Sequence, residues 1–123
     1  MSELQRSPVL VACLCADWCD TCRDYRAVFD ALEHEFHAQA DFVWVDIEDD
    51  EAALGNVDVE DFPTLLIARG DELAFYGPVL PHAQTAQRLV QEALRGDLRA
   101  GADAQLAGLP VRVRALGDAR RRD

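Results

Sequence analysis

Two cysteines separated by two residues, Cys19 and Cys22, limit the possible folds of this chain more than any other feature. An unbroken apolar run at 9–16 precedes them and opens with a β-branched residue, which predicts a strand covered on both faces. After them, apolar residues recur at helical spacing: Tyr25, Phe29, Leu32 and Phe36. The sequence therefore predicts that a buried strand ends, and a long helix begins, at this pair of cysteines.

The position of the pair predicts redox chemistry. Unpaired N–H groups and the positive end of the helix dipole favour a thiolate in the first helical turn, so we predict that Cys19 is the nucleophile. A spacing of three places Cys22 on the same face one turn later, within reach of a disulfide bond. Such a pair forms a reversible two-electron switch, in which Cys19 attacks a substrate disulfide and Cys22 resolves the mixed disulfide.

The residues around this pair resemble the thioredoxin family. Trp18 directly precedes the first cysteine, as the family's tryptophan does. The segment VEDFPT at 59–64 resembles the family's V-x-x-h-P-T segment (h apolar), whose proline is cis and faces the redox pair. Gly77 and Pro78, after the last predicted strand, resemble the family's segment that places a glycine beside that proline. The resemblance extends over about 8–95.

The resemblance implies an α/β protein with a near-minimal thioredoxin fold, in which helices flank a central mixed sheet of about four strands. We expect one thioredoxin-like domain at 8–96 and a C-terminal extension at 97–123. The first two strands should be parallel, and the last two should form a hairpin. The predicted strands are 9–16, 41–47, 64–69 and 72–76, and the predicted helical segments are 19–38, 50–54 and 81–95.

Two interpretations of the C-terminal extension stay open. Gly96 is typical of a helix stop. Beyond it, apolar residues alternate with arginine at 109–114, which is a strand pattern. The extension is therefore expected either to add an edge strand to the sheet or to be disordered.

The resemblance also implies an enzyme, a thioredoxin-like protein-disulfide reductase. Substrate backbone would lie against the loop at Phe62 and Pro63, while Trp18 and Phe62 would supply apolar contact around the thiol. The implied partners are proteins with disulfide bonds and an electron donor such as thioredoxin reductase or glutathione. No organic cofactor or metal is implied, because the cysteines themselves transfer the electrons. The alternative is a thioredoxin-fold protein-binding or chaperone-like module with weak or no redox activity.

Four positions depart from the family's pattern, and three of them, Asp20, Thr21 and Cys13, are expected to tune the redox pair. Asp20 and Thr21 replace the usual Gly-Pro between the cysteines. Cys13 stands where many thioredoxins bury an aspartate, and Trp44 stands where the accompanying lysine lies. One buried charge without its partner would be costly, which explains why the aspartate and the lysine are replaced together. Their replacement also removes an aid to proton transfer, and we expect slower resolution through Cys22.

Cys13 and Cys15 lie two apart on the first predicted strand and therefore share a face. A strand holds such neighbours about 6.5 Å apart at Cα, which disfavours a disulfide between them. We expect inert buried thiols packed as small hydrophobes. Two alternatives are that Cys13 exchanges disulfides with Cys22, and that all four cysteines bind zinc.

The net charge of −11 excludes general nucleic-acid binding, which needs clustered positive charge. The N-terminus lacks the basic region and long apolar segment of a secretory signal, and no stretch reaches membrane-spanning length. We therefore expect a cytoplasmic monomer without membrane or nucleic-acid partners. Structural disulfides rarely persist in the cytoplasm, which favours a catalytic or metal-binding role for paired cysteines.

The negative charges of Asp20, Glu60 and Asp61 should disfavour a thiolate at Cys19 and so favour the disulfide form. We predict a reduction potential more negative than about −120 mV, the value of a strong thiol oxidant. Equilibration with glutathione buffers measures the potential. A value near that of the oxidant would contradict the prediction.

Overall fold

In a computed structural model, which describes residues 8–101 and 103–122, a four-stranded mixed sheet lies between two layers of helices. This architecture confirms the predicted sheet flanked by helices. The strands are β1 (Val9–Cys15), β2 (Asp41–Asp46), β3 (Thr64–Arg69) and β4 (Glu72–Pro78); the helices are α1 (Asp20–Phe36), α2 (Glu51–Leu54), α3 (Ala83–Arg95) and α4 (Leu109–Arg122), and a 3-10 turn spans Ala104–Leu106.

The strand order is β2-β1-β3-β4. β1 runs parallel to β2 and antiparallel to β3, and β3 runs antiparallel to β4. The predicted parallel pair and the predicted hairpin are both confirmed. The hairpin turns at Gly70, whose φ of +62° is a conformation that side chains with a Cβ rarely adopt. β1 is buried at every position, since it has a strand on each side and helices on each face.

Side chains of β1 alternate between the two faces of the sheet. Leu10, Ala12 and Leu14 pack in a core with α4 and α2. The odd-numbered residues, including Cys13 and Cys15, pack in a second core with α1 and α3. The alternation therefore points both strand cysteines at the helix that contains Cys22.

α1 buries the apolar stripe that the sequence predicted, together with Cys22. The Phe29 ring contacts Phe42 at a centroid distance of 5.6 Å and Trp44 at 5.7 Å, both edge-on. Burial of each large side chain contributes about 1.5–3 kcal/mol to stability. These contacts hold α1 against β2 and orient its first turn toward the end of β1.

The C-terminal segment forms the helix α4, so the expected edge strand or disordered segment is wrong for 109–122. Leu109 and Val113 are fully buried against the even-numbered face of β1, and Leu116 packs partly against the same core. Val111, which a strand would place beside them, is 51% exposed. The helix forms because α2, with only four residues, leaves much of this face of the sheet to be covered.

Arginine side chains attach α4 to the rest of the molecule. Arg114 is buried, and it donates a hydrogen bond of 2.8 Å to the Pro8 carbonyl and forms an ion pair with Asp41. Arg120 donates to Asp50 at 2.7 Å.

Arg112 donates a hydrogen bond of 2.9 Å to the Ala53 carbonyl. Both arginines of the alternating pattern, Arg112 and Arg114, are therefore structural contacts of a helix. No helix in the described part of the chain is long and apolar enough to cross a bilayer.

We predict that Val113→Ala lowers the free energy of unfolding by about 2 kcal/mol, because it empties a fully buried site. Val111→Ala makes the same chemical change on the exposed side of α4 and should alter it by less than about 0.5 kcal/mol. Urea unfolding of both variants provides the measurement. Equal losses would contradict the helical placement, since an edge strand would put both valines on one face.

Candidate active site

Cys19 and Cys22 lie where the sequence placed them, at the junction of β1 and α1. Cys19 is the residue that precedes the helix, and its carbonyl accepts a hydrogen bond from the Arg23 N–H at 3.1 Å. Cys19 is half-buried and is a free thiol, whereas Cys22 is only 1% exposed. The first thiol is therefore accessible, and the second is covered, as the helical spacing predicted.

Cys22 is bonded to Cys15 in this structure, which the sequence analysis did not foresee. Their Cα atoms lie 5.7 Å apart, within the usual range for a disulfide. The expectation that Cys15 is an inert thiol is therefore wrong. Cys15 is the last residue of β1 and points at α1, while Cys22 belongs to the buried stripe of that helix. The two periodicities place both residues in one core, but only the packing of α1 on β1 brings them into contact.

Cys13 is buried and free, and its Sγ lies 3.7 Å from the Sγ of Cys15, to which it donates a hydrogen bond. Burial raises the pKa of the Cys13 thiol far above its usual range, so the group stays protonated. β1 and β2 pair Cys13 with Trp44, which puts the two replacements side by side. Cys15, and not Cys13, is the strand cysteine that bonds Cys22.

Tyr25 lies in the same core as the three buried cysteines. Its hydroxyl is buried and has no hydrogen-bond partner among the described residues. Burial, the largest cause, raises the pKa of Tyr25 above its usual range, so the phenol stays neutral. From the sequence, Tyr25 is predicted only as a core residue, because helical spacing does not distinguish a phenol from a phenyl ring.

Trp18 and Phe62 meet edge to face beside Cys19, with ring centroids 5.5 Å apart. The Phe62–Pro63 peptide bond is cis, as the resemblance implied. Pro63 is buried, and its carbonyl accepts a hydrogen bond of 3.0 Å from the N–H of Val79, next to the predicted Gly-Pro segment. Trp18 is 63% exposed, so an apolar surface is available next to the free thiol.

Asp20 and Thr21 are both exposed at the start of α1. The carboxylate of Asp20 is paired with the guanidinium of Arg23, which also donates a hydrogen bond of 2.9 Å to the Asp17 carbonyl. This ion pair offsets part of the negative charge that the sequence analysis assigned to Asp20. The effect is modest, since exposed ion pairs are worth about 0–1 kcal/mol.

Three carboxylates, from Asp17, Asp46 and Asp49, lie together, with one oxygen of each within 4.8 Å of the others. Asp17 precedes Cys19 by two residues in the chain. Burial opposes the charge on Asp46, but N–H groups of Asp49 and Glu48 donate to it and keep its pKa below the usual range. The charge of Asp46, and a hydrogen bond to it, raise the pKa of Asp17. Asp17 therefore keeps its proton to a higher pH than an ordinary aspartate, and Asp46 loses its proton first.

Comparison with known proteins agrees with this geometry. A family model described as Thioredoxin matches residues 2–92, and no curated protein matches the chain in sequence. The germline-specific thioredoxin Deadhead of Drosophila melanogaster is similar in structure, with 15% identity and a TM-score of 0.64 over 74% of this chain and 86% of that one. Fasciola hepatica thioredoxin gives 19% identity and a TM-score of 0.63, over 73% of this chain and 85% of that one. Trypanosoma brucei brucei thioredoxin gives 18% identity and a TM-score of 0.63, over 76% of this chain and 81% of that one. These similarities confirm the predicted fold.

We predict that Asp46→Ala lowers the pKa of Asp17 toward its ordinary value, because the charge of Asp46 is the main cause of the increase. A raised carboxyl pKa means that folding binds a proton. Asp17 therefore destabilises the folded state once the pH exceeds its folded pKa, and this cost disappears as the pH falls below the unfolded value of about 3.9. Carboxyl carbon NMR titration measures the change.

Asp30→Ala is the control for this titration, because Asp30 is an exposed aspartate on α1 that pairs with Arg26. It should leave the titration of Asp17 as in the wild type. An Asp17 that titrates identically in Asp46→Ala and in the wild type would show that the carboxylates do not interact.

Proposed function

Because this chain belongs to the thioredoxin family, and is therefore a thiol–disulfide oxidoreductase in kind, we propose that it reduces disulfide bonds in other proteins. Cys19 acts as the nucleophile, and Cys22 is the resolving thiol. One observation supports this assignment above the others: a half-exposed free thiol at the start of α1 stands beside an exposed aromatic edge, with a second cysteine covered one turn later.

The first step of the reaction uses the accessible thiol. The thiolate of Cys19 attacks one sulfur of a substrate disulfide, and a bond forms between Cys19 and that sulfur. The other substrate sulfur leaves as a thiolate and takes up a proton. The helix dipole of α1 supports the thiolate of Cys19, since the residue stands at the positive end of the helix.

The second step uses the covered thiol. Cys22, as a thiolate, attacks the Sγ of Cys19 in the mixed disulfide, and the Cys19–Cys22 disulfide forms. The substrate sulfur that was bonded to Cys19 leaves as a thiolate. The substrate gains two electrons and two protons, and the protein loses them. This step requires Cys22 to be free of Cys15, so the disulfide with Cys15 must be reduced or exchanged before turnover.

Partners are proposed from the surface around Cys19. Trp18 and Phe62 offer apolar contact, and the loop at Pro63 lies beside them for extended substrate backbone. A net charge of −11 favours neutral or basic partners and makes association sensitive to salt. We propose thioredoxin reductase or glutathione as electron donor, no organic cofactor, and a monomer that works in the cytoplasm.

A second candidate function is a binding or chaperone-like module that uses the same aromatic edge. The bond between Cys15 and Cys22 favours it, because Cys19 then has no free resolving partner. The two candidates differ in one respect: only the reductase needs the thiol of Cys19 for activity.

Reduction of insulin disulfides with dithiothreitol tests the reductase. We expect the wild type to accelerate the reaction, and Cys19→Ser to lower the rate to that of dithiothreitol alone, because the nucleophile is gone. Cys22→Ser should accumulate a mixed disulfide with its partner, which non-reducing electrophoresis detects. Cys13→Ala removes the other free thiol and should retain Cys19-dependent activity. Equal rates with wild type and with Cys19→Ser would favour the binding module.

A further inference from the structure

We propose that Cys15 is a third redox thiol, which competes with Cys19 for Cys22. In this scheme the oxidised protein exchanges between a Cys19–Cys22 disulfide at the surface and a Cys15–Cys22 disulfide in the core. The inference rests on the proposed exchange chemistry of Cys19 and Cys22, and goes beyond it by adding a residue and a second oxidised state.

The placement of the three cysteines supports this competition. Cys22 has one cysteine neighbour toward solvent, Cys19, which is half-buried three residues earlier. Its other neighbour, Cys15, is completely buried at the end of β1 and is bonded to it here. With this bond formed, the two Cα atoms lie 5.7 Å apart, a usual distance for a disulfide, and α1 packs on the same core as β1.

The exchange is balanced within the chain. Cys15, as a thiolate, attacks the Sγ of Cys22 in the Cys19–Cys22 disulfide, and the new bond joins Cys15 to Cys22. The old bond breaks, and Cys19 leaves as a thiolate. Cys15 loses one proton and Cys19 takes up one, so the step consumes no external oxidant or reductant. In the reverse step Cys19 attacks Cys22, and Cys15 leaves.

Cys13 helps the reverse step. Its S–H group points at the sulfur of Cys15 over 3.7 Å. Burial raises the pKa of Cys13, which keeps this hydrogen in place when Cys15 leaves as a thiolate. Buried anionic sulfur is costly without a donor, so the neighbouring thiol lowers the cost of releasing Cys15.

The core disulfide should act as a resting state. Both of its sulfurs belong to residues that are at most 1% exposed, so external thiols do not reach them directly. Cys19 stays free in this state and can join to a partner's disulfide, but Cys22 cannot resolve the product. Turnover resumes only after Cys19 has recovered Cys22 from Cys15. The accessible cysteine is therefore the route by which reductants act on the buried bond.

Mapping the disulfides of the oxidised full-length protein tests the proposal. The protein is quenched in acid, its free thiols are alkylated, and it is cleaved before aspartate. Asp17, Asp20 and Asp24 then place Cys19 and Cys22 on separate peptides, and both strand cysteines on a third. We expect a fraction in which the Cys22 peptide is joined to the strand peptide and Cys19 is alkylated. Cys13→Ala, at an equally buried position, should retain this linkage, and Cys15→Ala should lose it.

A second measurement follows reduction by glutathione under native conditions. In Cys19→Ser the Cys15–Cys22 disulfide should be reduced at least about tenfold more slowly than in the wild type, since direct access is blocked. Wild-type protein that contains only the Cys19–Cys22 linkage would overturn the proposal. Equal reduction rates in Cys19→Ser and wild type would also overturn it. Neither measurement depends on the folding of Cys15→Ala.

The proposed function and this inference fail in different ways. A chain that reduces insulin through Cys19 but never joins Cys22 to Cys15 retains the function and loses the inference. A chain that forms the core disulfide but does not accelerate insulin reduction loses the proposed function, and the linkage map still decides whether Cys15 bonds Cys22.

Discussion

Complete burial of β1 is the constraint on which the rest of the structure depends. A strand with neighbours on both sides has no free backbone groups, and its apolar side chains need cover on both faces. α1 and α3 cover one face. The other is covered mainly by α4, whose Leu109 and Val113 contact the even-numbered residues of β1. The C-terminal extension is therefore part of the core of the molecule.

The same burial decides what chemistry the end of β1 can hold. A charged pair in this core would need both members and their hydrogen bonds, since one buried charge alone is costly. Cys13 and Trp44 avoid this requirement, because neither needs to be charged. With Cys13 and Trp44 at these positions, the core contains three sulfurs and the phenol of Tyr25, and Cys19 is the accessible thiol beside it. Burial thus separates Cys19, which is half-buried and has a free thiol, from the three cysteines that the core covers.

Two failures of the sequence analysis have the same physical origin. At 109–114 the apolar residues and arginines fit a strand over six residues. Only the longer spacing of Leu109, Val113 and Leu116, and the need to cover the second face of the sheet, favour a helix. Cys15 was judged from its distance along β1 to Cys13, although its partner lies across the core on α1. Local periodicity describes the neighbours within one element, and both errors concern contacts between elements.

The sequence by itself determined the order and type of the elements from β1 to α3 and the position of Cys19 and Cys22 at a helix start, and its family resemblance implied the cis bond before Pro63. These follow from short-range periodicity, backbone preferences and a motif whose residues are close in the chain. The tertiary structure alone decided that α4 covers the second face and that Cys22 bonds Cys15. Each of these depends on which side chains meet when layers pack, and packing distances are not encoded in any single local pattern.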